Sequence, residues 1–325
     1  MNIVVIGKKN HLEWDSSTAN ALKELGYNVK HFQINNQSFK NNIVGLYNKN
    51  KAHELHAKSI RDSIIDFKPN IIFFISAFFI PITYYKYLRD LPFICKIAAW
   101  DADEAIRYEY NKQYGYYIDI LFSATYYYLN NHFNEFKNVH LLQCAVDTNK
   151  FKNNNFNKIN KAYFAAAYNN ERCKFINSIS ENQIILKGWG WNKCSILNKS
   201  HNTIIINKKI KLSQVAKDYD QYQITLNLHQ KDNALHGGLN MRTFEAPACG
   251  SMIISDKRED LNLSYEDGKE IITYKNFDEA KELINRYTKD TLLAKIIAQN
   301  AYKRTLEFHT YKVRMNQFLN VINQY

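Results

Sequence analysis

Short apolar runs alternate along the first half of the chain with segments in which apolar residues recur at helical spacing. Six runs have the length and composition of strands: residues 2–7, 27–32, 70–76, 93–100, 119–123 and 140–143. Helical spacing is found between them at 18–25, 51–67 and 84–91. The run 70–76 is almost continuously apolar, as expected for a strand whose sheet is covered by helices on both faces.

The same alternation starts again after the asparagine-rich segment 152–160, which is the best candidate for a linker. Six more strands are predicted at 162–167, 183–186, 203–206, 223–228, 252–255 and 270–273. Residues 278–286 and 292–307 are strongly helical. Because strands that alternate with helices form parallel sheets, the sequence predicts an α/β fold with two doubly wound, Rossmann-like domains facing each other across a cleft.

Composition excludes several classes of protein. The chain has 325 residues, 46% of them apolar, a length that predicts two domains. Its many aromatic residues exclude a disordered chain, and its ten glycines and four prolines exclude a collagen-like one. No stretch reaches the roughly 18 consecutive apolar residues of a membrane span.

The N-terminus and the cysteines favour a cytoplasmic protein. The opening MNIVVIGKKN lacks the order of charged, apolar and small residues that marks a signal peptide. The five cysteines are widely spaced and contain no CxxC pair. This pattern favours reduced thiols over disulfides or a zinc site.

The positive charge is concentrated in the middle of the chain. The net charge is +12, and residues 152–217 contain 12 Lys or Arg against only two acidic residues. Such a segment attracts the phosphates of a nucleotide, a nucleic acid or an anionic membrane, although a solvated lysine-rich surface explains it equally well.

The strongest chemical signal is HGGLNMRTFEAPACGSMIISD at residues 236–256, where a glycine pair precedes a predicted helix. Backbone N–H groups at a helix start can bind a diphosphate. Arg242 and Glu245 share one helix face and suit phosphate oxygens and ribose hydroxyls respectively, but they could equally form a surface ion pair. His229 and His236 flank the motif and are candidates for contacts to phosphate or sugar.

These residues carry a resemblance to a known family. NMRTFEAPACG, followed by ISDKREDL, DGKEIITY and FHTYKVR, resembles the C-terminal half of CgeB-like, spore-maturation type glycosyltransferases of the GT-B fold. YFAAAYNNERCKF and ILKGWGW resemble the start of the same domain, and AAWDADE and LQCAVDTNKF extend the similarity into the N-terminal half. The resemblance covers most of residues 93–315, with a weaker similarity to phage DNA β-glucosyltransferase.

The resemblance implies a nucleotide-diphosphate sugar donor, held by the C-terminal domain without a cofactor or a required metal. By that analogy Glu245 binds the ribose, and Arg242 and Arg172 contact the diphosphate. The other implied donor-binding positions are Gly188, Trp189, Gly237, Gly238 and Asn240. The implied division is an acceptor-side domain at 1–155, a donor domain at 156–308, and a C-terminal helix at 309–325 that returns to the first domain.

Inversion of the sugar is favoured over retention. A large retaining subgroup of GT-B enzymes has a glutamate eight positions before the ribose-binding one, where this chain has Gly237. Inversion needs a general base. Asp101, at the carboxyl end of the fourth predicted strand, is the first candidate, followed by the carboxylates of Asp103 and Glu104 and by His11 after the first strand.

Two other interpretations of these carboxylates stay open. They could cap the helix that follows, and the sequence DAD also matches the metal-binding DxD motif of a different transferase fold.

Three hypotheses follow from the sequence. The leading one is transfer of a hexose from a UDP-type sugar to a hydroxyl of a bacterial surface glycan or its lipid-linked precursor, on the cytoplasmic side and in possible peripheral contact with the membrane. The second is a DNA glucosyltransferase that acts on hydroxymethylated bases. The third is a sugar-nucleotide-binding protein without catalytic activity.

Overall fold

The twelve predicted strands all form in the computed structural model, which describes residues 1–8, 13–34, 48–102, 104–130, 134–155, 157–194, 202–229 and 238–325. They build two parallel sheets in two separate units, which confirms the predicted α/β fold class. The first unit comprises Met1–Gln143 and Arg314–Tyr325, and the second comprises Cys144–Val313. The chain thus leaves the first unit before the predicted boundary at residue 155, and returns to it after residue 308.

The first sheet has six parallel strands in the order β2-β1-β3-β4-β5-β6. Its strands are β1 (Asn2–Lys8), β2 (Asn28–Ile34), β3 (Ile71–Ile75), β4 (Lys96–Asp101), β5 (Ile120–Ser123) and β6 (Val139–Leu141). Its helices are α1 (Trp14–Glu24), α2 (Lys49–Ile64), α3 (Ile82–Arg89), α4 (Glu104–Gly115) and α5 (Tyr127–Asn130). Every residue of β3 is buried, as its continuous apolar sequence predicted.

The second sheet has six parallel strands in the order β12-β11-β10-β7-β8-β9. They are β7 (Ile159–Ala165), β8 (Ile184–Gly188), β9 (Thr203–Asn207), β10 (Tyr222–Asn227), β11 (Met252–Asp256) and β12 (Ile272–Tyr274). The chain starts at β7 in the middle, builds outwards to β9, and then crosses over to β10. Strand order therefore reverses between β7 and β10, which is where doubly wound sheets open a crevice for ligands.

Among the described residues, five helices accompany the second sheet: α6 (Asn170–Ile179), α7 (Leu212–Gln221), α8 (Arg242–Ala248), α9 (Phe277–Lys289) and α10 (Thr291–Phe308). Asn169, Asn276 and Asp290 cap α6, α9 and α10 with a side-chain oxygen that accepts a backbone N–H of the first turn. Such caps satisfy N–H groups that have no partner within the helix. In the described part of the chain, no helix has the length and hydrophobicity that crossing a membrane requires.

The last helix, α11 (Tyr311–Ile322), packs on the first sheet. The Phe318 ring stacks on Phe73 of β3 with the ring centroids 4.1 Å apart. Arg314 Nε donates to the Gln143 carbonyl at 3.0 Å, and Lys96 Nζ donates to the Ile322 carbonyl at 3.2 Å. Apolar stacking and hydrogen bonds at both ends thus attach the end of the chain to the first unit.

Cys173 and Cys194 form a disulfide, so the expectation that all five cysteines are reduced thiols is wrong for this pair. Cys173 lies in α6, which follows β7, and Cys194 follows the neighbouring strand β8. Because adjacent parallel strands end at the same edge, their Cα atoms come within 5.9 Å, a distance that a disulfide spans. Their separation of 21 positions along the chain conceals this proximity in the sequence.

Gly188, predicted to bind the donor, is required for the packing of β8 against the segment after β7. A Cβ atom at this position would lie 1.7 Å from the carbonyl oxygen of Ala166. That oxygen also accepts a hydrogen bond from Trp191 Nε1 at 2.7 Å. The absence of a side chain at residue 188 therefore allows two backbone segments and a buried tryptophan to meet.

We predict that Gly188→Ala lowers the free energy of unfolding by about 3 kcal/mol or more, because backbone atoms must move to admit the methyl group. Thermal or urea unfolding measures this loss. The matched control is Gly26→Ala, where no atom lies within 4 Å of the new Cβ. That variant bears only the strain of a positive φ, about 1 kcal/mol. Equal losses in the two variants would contradict the close contact.

Candidate functional site

The candidate site lies at the carboxyl edge of the second sheet, beside the reversal between β7 and β10. Here β7 ends at Ala165 and β10 ends at Asn227, while α6 and α8 begin nearby. The predicted donor-binding residues Arg172, Asn240, Arg242 and Glu245 all lie on or next to these elements. Gly237 and His236 lie outside the described residues.

Arg242 joins the two strands on either side of the reversal. One terminal nitrogen of its guanidinium donates to Asn227 Oδ1 at 2.8 Å, and the other donates to the Ala165 carbonyl at 2.6 Å. The guanidinium also lies over the Phe164 ring, 5.4 Å from its centroid. Its Nε is buried and has no hydrogen-bond partner among the described residues. The Arg242 guanidinium thus binds neighbouring strands rather than pairing with Glu245, and its Nε–H is left without a partner among the described residues.

Asn240 and Gly238 position the segment that leads into α8. Asn240 Nδ2 donates to Asn227 Oδ1 at 2.8 Å, so Asn227 accepts from both Asn240 and Arg242. The backbone N–H of Gly238 donates to Asp260 Oδ2 at 2.8 Å. These bonds hold the start of α8 against the end of β10.

Glu245 is a buried carboxyl group with an unusual environment. The residue is 6% exposed, and its carboxylate accepts no hydrogen bond from the described residues. Burial raises the pKa of Glu245 to about 7, although the charges of Arg242 and Lys150 oppose this shift. A buried acceptor that the protein does not use is available to the hydroxyl groups of a ligand.

Arg172 lies in the first turn of α6 and adds a second cation to the same edge. Its guanidinium donates to the Ala167 carbonyl at 3.0 Å. Burial and the neighbouring charge of Arg242 lower the pKa of Arg172 to about 10, so both arginines are charged at neutral pH. The positive charges of the two arginines repel each other in this partly buried site, and a bound anion would offset that repulsion.

The two tryptophans after β8 differ. Trp189 is 59% exposed, and its backbone carbonyl accepts from the Tyr168 N–H at 3.0 Å. Trp191 is buried and packs edge-on against the Tyr168 ring, with the centroids 6.0 Å apart. Trp189 alone thus presents an accessible ring that a nucleobase could stack on.

In the first unit, Asp101 ends β4 and is completely buried. Its carboxylate accepts hydrogen bonds from the Tyr114 hydroxyl and, at 3.3 Å, from the Phe78 backbone N–H. These contacts hold the segment after β3 and helix α4 against β4, a positioning role that the sequence did not reveal.

The other candidate bases cannot be placed. Asp103 and His11 lie outside the described residues, as does the side chain of Glu104. Within the described ranges, no cluster of three His, Cys, Asp or Glu side chains is arranged to hold a metal ion.

The sequence missed an Asp–His pair at the same edge of the second sheet. Asp256, at the end of β11, accepts from His229 at both the backbone N–H (3.1 Å) and ring Nδ1 (2.7 Å). Arg258 Nε donates to the second Asp256 oxygen at 3.0 Å. In the sequence His229 lies close to the glycine-containing motif, but only the parallel pairing of β10 with β11 brings it to the Asp256 carboxylate.

We predict that Glu245 makes stability depend on pH. Its folded-state pKa of about 7 lies above the ordinary value of 4.5. The associated stability is therefore complete below about pH 4.5 and is lost as the pH rises to about 7, by roughly 3 kcal/mol. Glu245→Gln should remove this component from urea unfolding measured across that range. The exposed Glu282→Gln is the control, and an unchanged profile in Glu245→Gln would contradict the burial of the charge.

Comparison with known proteins agrees with this geometry. Residues 171–320 match a family model described as glycosyl transferase-like. No match to a curated protein is found by sequence.

Three solved structures are similar over whole chains. Sucrose-phosphate synthase from Thermosynechococcus elongatus has a TM-score of 0.68 at 11% identity, covering 100% of this chain and 98% of that one. The lipopolysaccharide outer core galactosyltransferase WaaB, in its apo form, has a TM-score of 0.66 at 12% identity, with 100% of each chain covered. HepE from Anabaena, in complex with UDP and glucose, has a TM-score of 0.64 at 11% identity, again with both chains fully covered.

At such low identity the structural matches establish the fold alone. The family model indicates glycosyl transfer for the segment that it matches, residues 171–320. The model begins in α6 beside Arg172 and continues through α8 and beyond. The protein is therefore a transferase with the GT-B fold, and its residues 171–320 match a glycosyl transferase-like family model.

Proposed function

We propose that the protein transfers a hexose from a UDP-sugar to a hydroxyl acceptor, as a CgeB-like enzyme. The observation that carries this proposal is the unused carboxylate of Glu245, buried at the carboxyl edge of the second sheet near Arg172 and Arg242. A carboxylate accepts both hydroxyls of a ribose, and the two cations compensate the charge of a diphosphate. HepE, which has the same fold, has been solved with UDP and with UDP-glucose, which supports uracil as the base of the donor.

The same groups would assist departure of the nucleotide. As the bond between sugar and diphosphate breaks, negative charge accumulates on the leaving oxygen. Fixed cations in a partly buried site stabilise this charge more strongly than water does. Arg172 is the better candidate for direct contact, because one of its terminal nitrogens bonds to the described part of the protein, whereas both terminal nitrogens of Arg242 do.

We predict that UDP and UDP-glucose raise the thermal unfolding midpoint of the wild-type protein, since a ligand that binds only the folded state stabilises it. Arg172→Met and Glu245→Gln should each weaken UDP binding about tenfold or more, through loss of a charge-assisted hydrogen bond. The control is Arg286→Met, an exposed arginine of the same unit. Absence of UDP binding by the wild type, or equal binding by all variants, would refute the donor site.

We further propose that the sugar is inverted, with Asp101 as the base, on a bacterial surface glycan or its lipid-linked precursor. Gly237 supports inversion, because it replaces the glutamate of the retaining subgroup. The position of Asp101 at the end of β4 supports its role. A hydroxymethylated DNA acceptor is the alternative, favoured by the lysine-rich segment 152–217.

We predict that Asp101→Asn leaves UDP binding unchanged and reduces transfer, or UDP-glucose hydrolysis, at least about 100-fold, the usual effect of removing a general base. Tyr114→Phe serves as the comparison, since it removes the hydroxyl that orients Asp101 but keeps the carboxylate. Asp101→Asn with full activity would exclude it as the base. Loss of activity together with unfolding would assign it the positioning role alone.

A further inference from the structure

A cavity of about 370 Å³ opens at the carboxyl edge of the second sheet, where β10, β11 and β12 end and α6 begins. Its lining includes Glu171, His229, Asp256, Arg258, Tyr274 and Phe277. The volume is that of a small-molecule site. The lining combines two aromatic rings, Tyr274 and Phe277, with several polar groups, as is typical of such sites.

The cavity is joined to the proposed donor site by hydrogen bonds. The Tyr274 hydroxyl donates to the backbone carbonyl of Asn227, whose side chain accepts from Arg242. Glu171 of the lining directly precedes Arg172 in α6. Along α6, the cavity therefore adjoins the residue that is proposed to contact the diphosphate.

The contacts of His229 determine which of its ring nitrogens carries the proton. Asp256 Oδ1 lies 2.7 Å from Nδ1, and a carboxylate accepts but does not donate, so Nδ1 carries the hydrogen. Although burial alone would raise the pKa of Asp256, bonding to His229 and the charge of Arg258 bring it below its ordinary value. Burial lowers the pKa of His229, which keeps the ring neutral. Nε2 therefore has a lone pair and can only accept.

That acceptor has no use within the protein. His229 is 4% exposed, and its Nε2 is buried without a hydrogen-bond partner among the described residues. A buried polar atom left unpaired is destabilising, and native structures keep few of them. Asp256, itself held by Arg258, fixes the orientation of the His229 ring. The ring therefore cannot flip to give Nε2 a partner.

We propose that His229 recognises the transferred sugar: Nε2 accepts a hydrogen bond from one of the hydroxyl groups of the sugar. The diphosphate of a UDP-sugar is fully ionised at neutral pH and has no proton to donate, whereas every hexose hydroxyl has one, so an acceptor-only atom favours the sugar over the diphosphate. Asp256 and Arg258 are positioning residues for the ring. This inference rests on the proposed function, since it assigns the sugar half of the same donor.

Calorimetric titration of UDP, UDP-glucose and UDP-galactose tests the proposal. For the wild type, at least one UDP-sugar should bind more tightly than UDP. His229→Phe, which removes the acceptor, should reduce that advantage about tenfold, the value of one hydrogen bond, without changing the affinity for UDP. His229→Gln, which retains an oxygen acceptor near the position of Nε2, should recover part of it.

Deoxyfluoro analogues of the preferred UDP-sugar provide a test on the wild-type protein alone. Fluorine cannot donate a hydrogen bond, so an analogue with fluorine in place of the hydroxyl that His229 recognises should bind about tenfold more weakly. In His229→Phe the same analogue should bind as the parent sugar does.

The outcomes separate the two proposals. Failure of the wild type to bind UDP refutes the proposed function itself. Normal UDP binding with a sugar advantage that His229→Phe leaves intact refutes the role of His229 alone. An equal loss for UDP and UDP-sugar in that variant would assign the histidine to the nucleotide, and also overturns the inference.

Discussion

The guanidinium of Arg242 bridges the two strands between which the second sheet reverses its order. β7 and β10 are the first and fourth strands of that sheet in the sequence, yet they are neighbours in space. The edge where both end needs donors for the carbonyl of Ala165 and the side chain of Asn227, and one planar fork supplies both. Because Asn227 also accepts from Asn240, this arginine simultaneously positions the start of α8.

The bridge has an electrostatic consequence for the rest of the site. A cation fixed at the edge lowers the cost of burying a carboxylate one turn along α8, although burial still dominates at Glu245. It also raises the cost of a second cation, and this repulsion adds to burial, the larger cause, in lowering the pKa of Arg172. The unliganded site thus contains a desolvated carboxyl group and two arginines whose positive charges repel each other. Under the proposed function, a ligand with hydroxyls and a diphosphate would relieve both conditions, and the cost to stability would be offset on binding.

Several parts of this arrangement follow from local sequence. The strands were evident because their apolar runs are short and bounded by turn residues, and the fully buried β3 is the clearest case. The motif around Arg242 and Glu245 was evident because its glycines, arginine and glutamate occur at fixed local spacing. The disulfide between Cys173 and Cys194 was not, because it depends on which strands are adjacent and not on the distance along the chain.

By itself, the sequence determined the α/β class, the succession of elements and the segment that carries the candidate site, since periodicity and turn chemistry are local properties. Only the tertiary structure decided which groups have partners. It placed Tyr114 against Asp101, Asp256 against His229, and the Ala166 carbonyl against Gly188. In the part of the chain that the structure describes, it also left the Glu245 carboxylate and His229 Nε2 as acceptors without donors. Hydrogen bonding and burial depend on neighbours from distant parts of the chain, and no local pattern records them.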